Sequence, residues 1–299
     1  MTPRIEPKTY VMIAIALLLW AAAFAGIRAG LESYGPGQLA LLRFGTASVC
    51  VGLWALVTRM RLPDRRDLPV IVLAGFVGIS VYHTALNFGE QTVQAAAAAL
   101  LISSSPVFTA LLSRRFLSEK LGRWGWAGIL ASFAGVALIS FGQGESLAFD
   151  PNALLILIAA IAASLYMIVS KPPLRHYSGL EFTTYAIWAG TVPLLFFTPG
   201  LITQIPEATA SATIAAIFLG IFPGAVSYVL WNLALAKMPA SRLAVFLNFQ
   251  PVNAALIAWL WLGEVPSLMT ALGGTVAIAG VALVQMKGQP GSAQAKRVS

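Results

Sequence analysis

The sequence is poor in charge, with 19 basic and 11 acidic residues among 299, whereas 58% of the residues are hydrophobic. About a quarter of the residues in a soluble domain are charged, so this chain has too few to cover a water-facing surface. A mean hydropathy of +0.81 requires most of the chain to face lipid or protein. These values exclude a soluble domain of this size, and with it a soluble catalytic domain.

Cysteine and histidine are also scarce: the sequence has Cys50, His83 and His176. A single cysteine in an apolar segment excludes an intramolecular disulfide framework and a cysteine metal cluster, so we expect no metal site and no cofactor. No aspartate lies within an apolar segment. The Ser-His-Asp, paired-Asp and metal-ligand sets of intramembrane enzymes are therefore missing. We expect no catalytic residues, and an intramembrane enzyme is a disfavoured alternative.

Long apolar runs dominate what the sequence does contain. A segment that crosses a bilayer takes about 20 residues and satisfies its own backbone, so each run is predicted as a transmembrane α-helix. The first run is longer than the apolar core of a signal peptide and is predicted to remain as a helix. Ten runs fit, at about 9–29, 38–58, 68–89, 93–113, 124–143, 152–170, 181–200, 212–235, 242–262 and 268–286. The predicted fold class is all-α integral membrane, embedded in the lipid bilayer.

The basic residues indicate how these helices are oriented. Alternate connections and the two termini hold 17 of the 19 Lys and Arg residues, and the other two are Arg28 and Arg43. Basic residues concentrate on the cytoplasmic side of membrane proteins. We therefore predict a multi-pass protein of the bacterial inner (plasma) membrane with both termini cytoplasmic. The net charge of +8 is scattered between the spans rather than gathered in a patch, so we expect no nucleic-acid partner.

The second half of the chain repeats the first at a shift of 145 residues. Residues 106–138 and 251–283 share 12 identities in 33 positions, and Asn87 matches Asn232 in the same register. Each copy has five predicted spans, an odd number, so the second copy enters the membrane upside down. Inverted repeats of this kind are typical of secondary transporters. We predict two inverted five-helix repeats, 1–143 and 144–299, that together form one membrane domain.

Several residues in order resemble the drug/metabolite transporter superfamily, in its ten-helix branch with paired EamA domains. They are Trp20, Leu42-Arg43-Phe44, Tyr82, Ala85-Leu86, 95–99, Ser105-Pro106, 116–120, Gly135-Val136, Pro251, Leu262-Gly263-Glu264 and Gly280-Val281. The resemblance implies transport of metabolites or drugs through a cavity lined mainly by helices 1, 3, 4, 6, 8 and 9. Within the superfamily we expect the exporters of aromatic amino acids. Arg43 has no basic counterpart in helix 7, so the two halves are not functionally equal.

Helices 3 and 8 carry polar residues at the depth where a solute would bind. Ser80, His83, Asn87 and Glu90 are spaced to share one face of helix 3. The repeat places Tyr228 and Asn232 at the matching positions of helix 8, next to Trp231. We predict His83, Asn87, Tyr228, Trp231 and Asn232 as substrate-binding residues. The alternative for the two asparagines is that their amides hold helices together.

Helices 4 and 9 carry Pro106 and Pro251 near mid-depth, where each proline removes a backbone hydrogen bond. We predict both prolines as hinges. Ser104 precedes the first, and Asn248 and Gln250 precede the second, and we predict that these three bind substrate. In the alternative, their side chains only repair the broken backbone ladder.

Aromatic residues lie at the same depth in four helices. We predict Trp20, Tyr82, Tyr166 and Phe246 as lining of the substrate cavity, although aromatic rings in helices are also common as core residues. An aromatic lining suits a flat, partly apolar small-molecule solute, and an amino acid with an aromatic or bulky neutral side chain fits best.

Arg43 lies six residues into helix 2 and has two interpretations. Its side chain either reaches the interface or caps helix carbonyls, which is the favoured structural role, or it attracts a substrate carboxylate.

None of the 11 acidic residues lies near the centre of a span, where ion-coupled carriers commonly place a carboxylate. We therefore predict an exporter that works as a facilitator, by alternating access. The alternatives are a proton-coupled exporter of drugs or other metabolites, with His83 as the deep titratable group, and a receptor that binds solute without moving it. A monomer is sufficient for transport, although Gly128, Ser132 and Gly135 fit either close packing within the chain or a dimer face.

Overall fold

The computed structural model describes residues 6–105, 107–109, 111–112, 122–141, 150–237, 243 and 246–287. Ten helices lie in this part of the chain. They are α1 (Pro7–Leu31), α2 (Pro36–Val57), α3 (Leu68–Gly89), α4 (Ala95–Ile102), α5 (Arg123–Phe141), α6 (Asn152–Ser170), α7 (Gly179–Glu207), α8 (Ala210–Lys237), α9 (Gln250–Leu262) and α10 (Leu268–Lys287). The predicted all-α fold is confirmed.

Local sequence explains where several helices begin and end. Pro7 and Pro36 stand at the first positions of α1 and α2, where the missing N–H of proline costs nothing. Ser178 and Glu181 form a capping box at the start of α7. Gly263 ends α9 with a φ of +70°, a conformation that glycine adopts without a steric penalty.

The helices have the surface of a multi-pass membrane protein. Among the described residues, six helices are long and apolar enough to cross a bilayer, and shorter apolar helices cover Ala95–Thr109, Val252–Leu262 and Leu268–Leu283. Large apolar side chains point outward, such as Leu56, Val57 and Phe196, which are about four-fifths exposed. The lipid-facing surface is therefore apolar, as the composition predicts.

The two halves interrupt their helices at matching positions. A π-helical segment, Phe76–Val81, lies inside α3, and another, Gly220–Val226, lies inside α8. The shift of 145 residues superimposes these two segments, and it superimposes the start of α5 on the start of α10. Only the repeat relates these positions, so the helix geometry agrees with the duplication that the sequence predicts.

Helices α5 and α10 pack against each other through repeat-related glycines. A Cβ at Gly135 would lie 2.5 Å from the carbonyl oxygen of Gly273, and a Cβ at Gly280 would lie 2.6 Å from that of Gly128. Only glycine allows this approach of one backbone to another. The small residues of α5 are therefore used in close packing within the chain.

Candidate functional site

A cavity lined by residues of both halves lies between them. The six predicted helices α1, α3, α4, α6, α8 and α9 contribute to its lining, and α2 adds Arg43. Seven of the predicted substrate-binding residues line it: Trp20, Tyr82, His83, Tyr166, Tyr228, Trp231 and Gln250. Because residues from both halves surround the same space, relative movement of the halves would change its shape.

His83 and Tyr228 meet at the centre of the cavity wall. The His83 Nε2 and the Tyr228 hydroxyl oxygen are 3.0 Å apart, and both residues are buried. These residues occupy equivalent positions of the two repeats. Equivalent residues contact each other only near the axis that relates two copies. The pseudo-twofold axis of the protein therefore passes beside this pair.

One tautomer of His83 allows both hydrogen bonds of Tyr228 to form together. The Tyr228 hydroxyl donates to the carbonyl oxygen of Gly78 at 3.2 Å. A hydroxyl has one proton to donate, so the bond between Tyr228 and His83 requires a proton on the His83 Nε2. The His83 Nδ1 is then an acceptor, and it is buried without a partner among the described residues.

The two π-helical segments each present a carbonyl oxygen to an aromatic residue of the opposite half. Gly78 accepts from Tyr228, and Pro223 accepts from the Trp20 Nε1 at 3.1 Å. Gly78 and Pro223 are themselves 145 residues apart and so are equivalent. A π-helical turn shifts the backbone hydrogen bonds and often marks a functional position. In this protein the carbonyl oxygens of Gly78 and Pro223 each accept a hydrogen bond from the opposite half, and these bonds join the halves beside the cavity.

Aromatic rings from both halves form a continuous wall. The ring centroids of Trp20 and Trp231 are 5.0 Å apart, those of Trp20 and Tyr228 are 5.5 Å apart, and those of Tyr166 and Tyr228 are 5.9 Å apart. Tilted and edge-to-face contacts at these distances are the favourable geometries for aromatic pairs. The wall therefore offers a rigid apolar surface against which a flat solute can pack.

Two polar side chains, those of Gln250 and Arg43, belong to the lining of the cavity. Gln250 is the first residue of α9 and is 6% exposed, and no described residue hydrogen-bonds to its amide. Arg43 is 1% exposed, and its Nε and Nη1 have no hydrogen-bond partner in the described part of the chain. The Arg43 guanidinium carbon lies 5.3 Å from the centre of the Phe44 ring. The carbonyl cap that the sequence favoured for Arg43 is therefore not formed by these residues.

The two predicted asparagines lie outside the lining of the cavity. The Asn87 amide donates to the carbonyl oxygen of Pro36 at 3.0 Å. The Asn232 amide donates to the Tyr166 hydroxyl at 3.0 Å and to the Thr183 hydroxyl at 2.8 Å. Both side chains join helices, which is the alternative role that the sequence offered, and substrate binding by them stays a prediction.

The remaining predicted residues are in or beside the interrupted parts of α4 and α9. The Ser104 hydroxyl donates to the carbonyl oxygen of Leu101 at 2.6 Å, and Phe246 packs against Tyr10 with ring centroids 6.1 Å apart. Neither residue lines the cavity. Pro106 and the side chains of Asn248 and Pro251 lie outside the described residues.

The breaks in α4 and α9 nevertheless lie next to the predicted hinges. Regular helix ends at Ile102 in α4, and a turn at Ser103–Ser104 follows it. In α9 a short 3₁₀ segment, Phe246–Phe249, precedes the regular helix that begins at Gln250. Discontinuous helices beside a central cavity are typical of transporter binding sites.

Arg28 joins the two halves at the predicted outer end. Its Nε lies 3.2 Å from the Glu264 carboxylate, and its Nη1 donates to the carbonyl oxygen of Glu90 at 2.7 Å. The Glu264 carboxylate also accepts from the backbone N–H of Ala95. This network joins the end of α1, the start of α4 and the connection after α9. Both halves are thus held together at this end.

Glu90, the first residue after α3, is a buried acid to which the sequence assigned no role. It is 0% exposed, and neither carboxylate oxygen has a hydrogen-bond partner among the described residues. Burial raises the pKa of the Glu90 carboxyl well above its ordinary value, and the nearby Glu264 raises it too, against the opposite effect of Arg28 and Arg43.

Comparison with known proteins gives consistent results over both halves. The family model described as EamA-like transporter family matches residues 7–141 and again 151–286. The uncharacterized transporter YdfC of Bacillus subtilis is 42% identical over 93% of this chain and 91% of its own length. A probable terminal-alkyne amino-acid exporter of Streptantibioticus cattleyicolor is 38% identical over 92% of each chain. A solved crystal structure at 22% identity superimposes with a TM-score of 0.64, over 94% of this chain and 97% of the other.

Proposed function

Because the chain belongs to the EamA-like transporter family, and is therefore a membrane transporter and not an enzyme, we propose that it exports amino acids with aromatic or bulky neutral side chains. The observation that carries this proposal is the wall of aromatic rings around the cavity, with the Gln250 amide in the same lining. A relative that covers almost the whole chain is described as a probable terminal-alkyne amino-acid exporter, which supports an amino acid as the solute.

The mechanism we propose is alternating access without ion coupling. The two halves rock about the axis at His83 and Tyr228, and the interrupted parts of α4 and α9, beside Pro106 and Pro251, absorb the movement. The lining of the cavity in the described residues contains no carboxylate that could carry a proton or a sodium ion across. Net flux then follows the gradient of the solute, out of the cytoplasm of a bacterial cell.

Flux into liposomes that contain only the purified protein tests this proposal. We expect saturable movement of labelled tryptophan and phenylalanine, slower movement of threonine, no movement of a cationic dye, and no effect of a pH gradient. Trp20→Ala and Gln250→Ala should each raise the KM for tryptophan about tenfold, which corresponds to the loss of one good contact. Trp259→Ala is the matched control, because Trp259 is 55% exposed on the outside of α9.

Two outcomes would overturn the proposal. Movement of the dye that requires a pH gradient would make the protein a proton-coupled drug exporter. Saturable tryptophan binding without any flux would make it a receptor.

A further inference from the structure

Arg43 supplies the only formal charge among the described residues that line the cavity. The same lining includes no aspartate or glutamate. A guanidinium has five N–H donors and is always protonated, so a buried one without partners is costly. Such a group persists in a membrane protein where it has a function.

A purely structural explanation does not account for this side chain. Structural arginines within a bilayer bind carboxylates or backbone carbonyls. The nearby Arg28 binds Glu264, and the buried Glu90 carboxylate accepts no hydrogen bond from Arg43. The Nε and Nη1 of Arg43 are buried with no such partner in the part of the chain that is described. The Arg43 guanidinium carbon lies 5.3 Å from the centre of the Phe44 ring, and Arg43 belongs to the lining of the cavity.

We propose that the guanidinium of Arg43 binds the carboxylate of the transported solute. This inference rests on the proposed function and narrows it: the cavity accepts solutes that carry a carboxylate beside an aromatic or bulky apolar group, and it rejects cations that lack one. Arginine and carboxylate form paired N–H···O hydrogen bonds, which fix the orientation of the solute as well as its affinity. Gln250 is placed in the same cavity to bind a second polar group.

The positive charge of Arg43 has no counterpart at the equivalent position of the second repeat. The position equivalent to Arg43 in the second half is Trp188, whose Nε1 donates to the carbonyl oxygen of Ser48 at 3.2 Å, away from the cavity. The backbone around the cavity is nearly symmetric, whereas its charge is not. The solute therefore binds in one orientation, with its carboxylate toward α2. A symmetric backbone alone would allow two orientations, with the carboxylate toward either half.

The test compares three solutes that share an indole ring: tryptophan, tryptamine, which lacks the carboxylate, and indole-3-propionate, which lacks the amine. In proteoliposomes the wild-type protein should move tryptophan and indole-3-propionate and should move tryptamine at least 30-fold less well. Arg43→Gln should raise the KM for tryptophan at least 30-fold and remove the preference over tryptamine. Arg43→Lys keeps the charge but not the paired hydrogen bonds, so its KM should lie between the two.

Arg65→Gln is the matched control, since Arg65 is an exposed arginine in the connection after α2. The stability of Arg43→Gln is measured beside it. Because the substitution removes a buried charge without a partner, the melting temperature should equal or exceed that of the wild type. A melting temperature clearly below that of the Arg65→Gln protein would show that Arg43 is structural, and would overturn the inference.

The outcomes separate this inference from the proposed function. If the wild type moves tryptophan and Arg43→Gln keeps the same KM and the same preference, the carboxylate site is wrong and amino-acid export stands. If the wild type moves no amino acid but indole-3-propionate raises its melting temperature, and Arg43→Gln abolishes that rise, the export proposal fails and the carboxylate site stands.

Discussion

The two halves of the protein are alike in backbone and different in the side chains they bring to the cavity. Both halves interrupt the third helix with a π-helical segment and pack the fifth helix through glycine. In contrast, Arg43 corresponds to Trp188, His83 to Tyr228 and Glu90 to Leu235. Duplication therefore accounts for a scaffold that can adopt two related arrangements. Divergence accounts for what the cavity binds.

The largest effect should come from a pair of equivalent glycines. A Cβ at Gly190 would press on the Gly75 backbone and would lie 2.5 Å from the Ile79 Cβ, whereas a Cβ at the equivalent Gly45 meets no atom within 4 Å. Gly190→Ala should lower the free energy of unfolding by about 1–3 kcal/mol through overpacking. Gly45→Ala should leave it unchanged or raise it by up to about 1 kcal/mol through helix propensity. Thermal unfolding in detergent measures both, and equal losses would contradict the comparison.

The second-largest effect on stability should come from the hydrogen bonds to the carbonyl oxygens of Gly78 and Pro223, which lie in the two π-helical segments. Tyr228→Phe removes the hydrogen bonds to His83 and Gly78, and Trp20→Phe removes the bond to Pro223. A typical hydrogen bond contributes about 0.5–1.5 kcal/mol net, so Tyr228→Phe, which loses two, should destabilise about twice as much as Trp20→Phe. Unfolding in a denaturing detergent compares the two. A larger loss of stability in Trp20→Phe than in Tyr228→Phe would show that the carbonyl oxygens of Gly78 and Pro223 do not contribute equally to stability.

A smaller effect distinguishes Glu90 from its equivalent, the buried apolar Leu235. Because the pKa of Glu90 is raised in the folded protein, the folded state holds its proton more tightly than the unfolded chain does. Stability should therefore be highest at acidic pH, and should fall as the pH rises from the ordinary glutamate pKa toward the raised one. The melting temperature should be higher at pH 5 than at pH 8, and Glu90→Gln should reduce that difference. A stability that rises with pH in the wild type and not in the variant would contradict this assignment.

The smallest effect compares the ion pairs at the two ends of the bundle. The Arg28 and Glu264 side chains are 29% and 15% exposed, whereas those of Lys237 and Glu6 are 42% and 56% exposed. Solvent-exposed pairs contribute about 0–1 kcal/mol, and salt screens them. Arg28→Gln should cost about 1 kcal/mol and Lys237→Gln nothing measurable. Thermal unfolding at low and high salt measures both, and a larger loss in Lys237→Gln would reverse the comparison.

Much of the fold could be predicted from the sequence because the bilayer imposes a simple rule on it. The long apolar runs predicted the helices, and the match of Pro106 to Pro251 at one shift predicted the repeat. The π-helical segments could not be predicted, since Gly78 is an ordinary helix residue in sequence terms and Pro223 alone does not specify which turn widens. Their position depends on packing between helices.

The candidate site was predicted in part for a related reason. Aromatic residues at mid-depth, such as Trp20 and Tyr166, were predicted in the lining because depth can be counted along a helix. The direction in which a side chain points cannot be counted in the same way. Asn87 and Asn232 therefore appeared as candidates although their amides join helices. Glu90 was given no role although its spacing places it on the same face as His83 and Asn87, and it is buried.

The contact between His83 and Tyr228 bears on how this protein arose. Two identical chains that meet at a twofold axis place the same residue on both sides of it, so a homodimer would have two copies of one residue there. An unequal pair requires two copies that mutate separately. Once the copies were fused in one gene, each molecule held one of each residue in a fixed arrangement, and the centre of the cavity ceased to be symmetric.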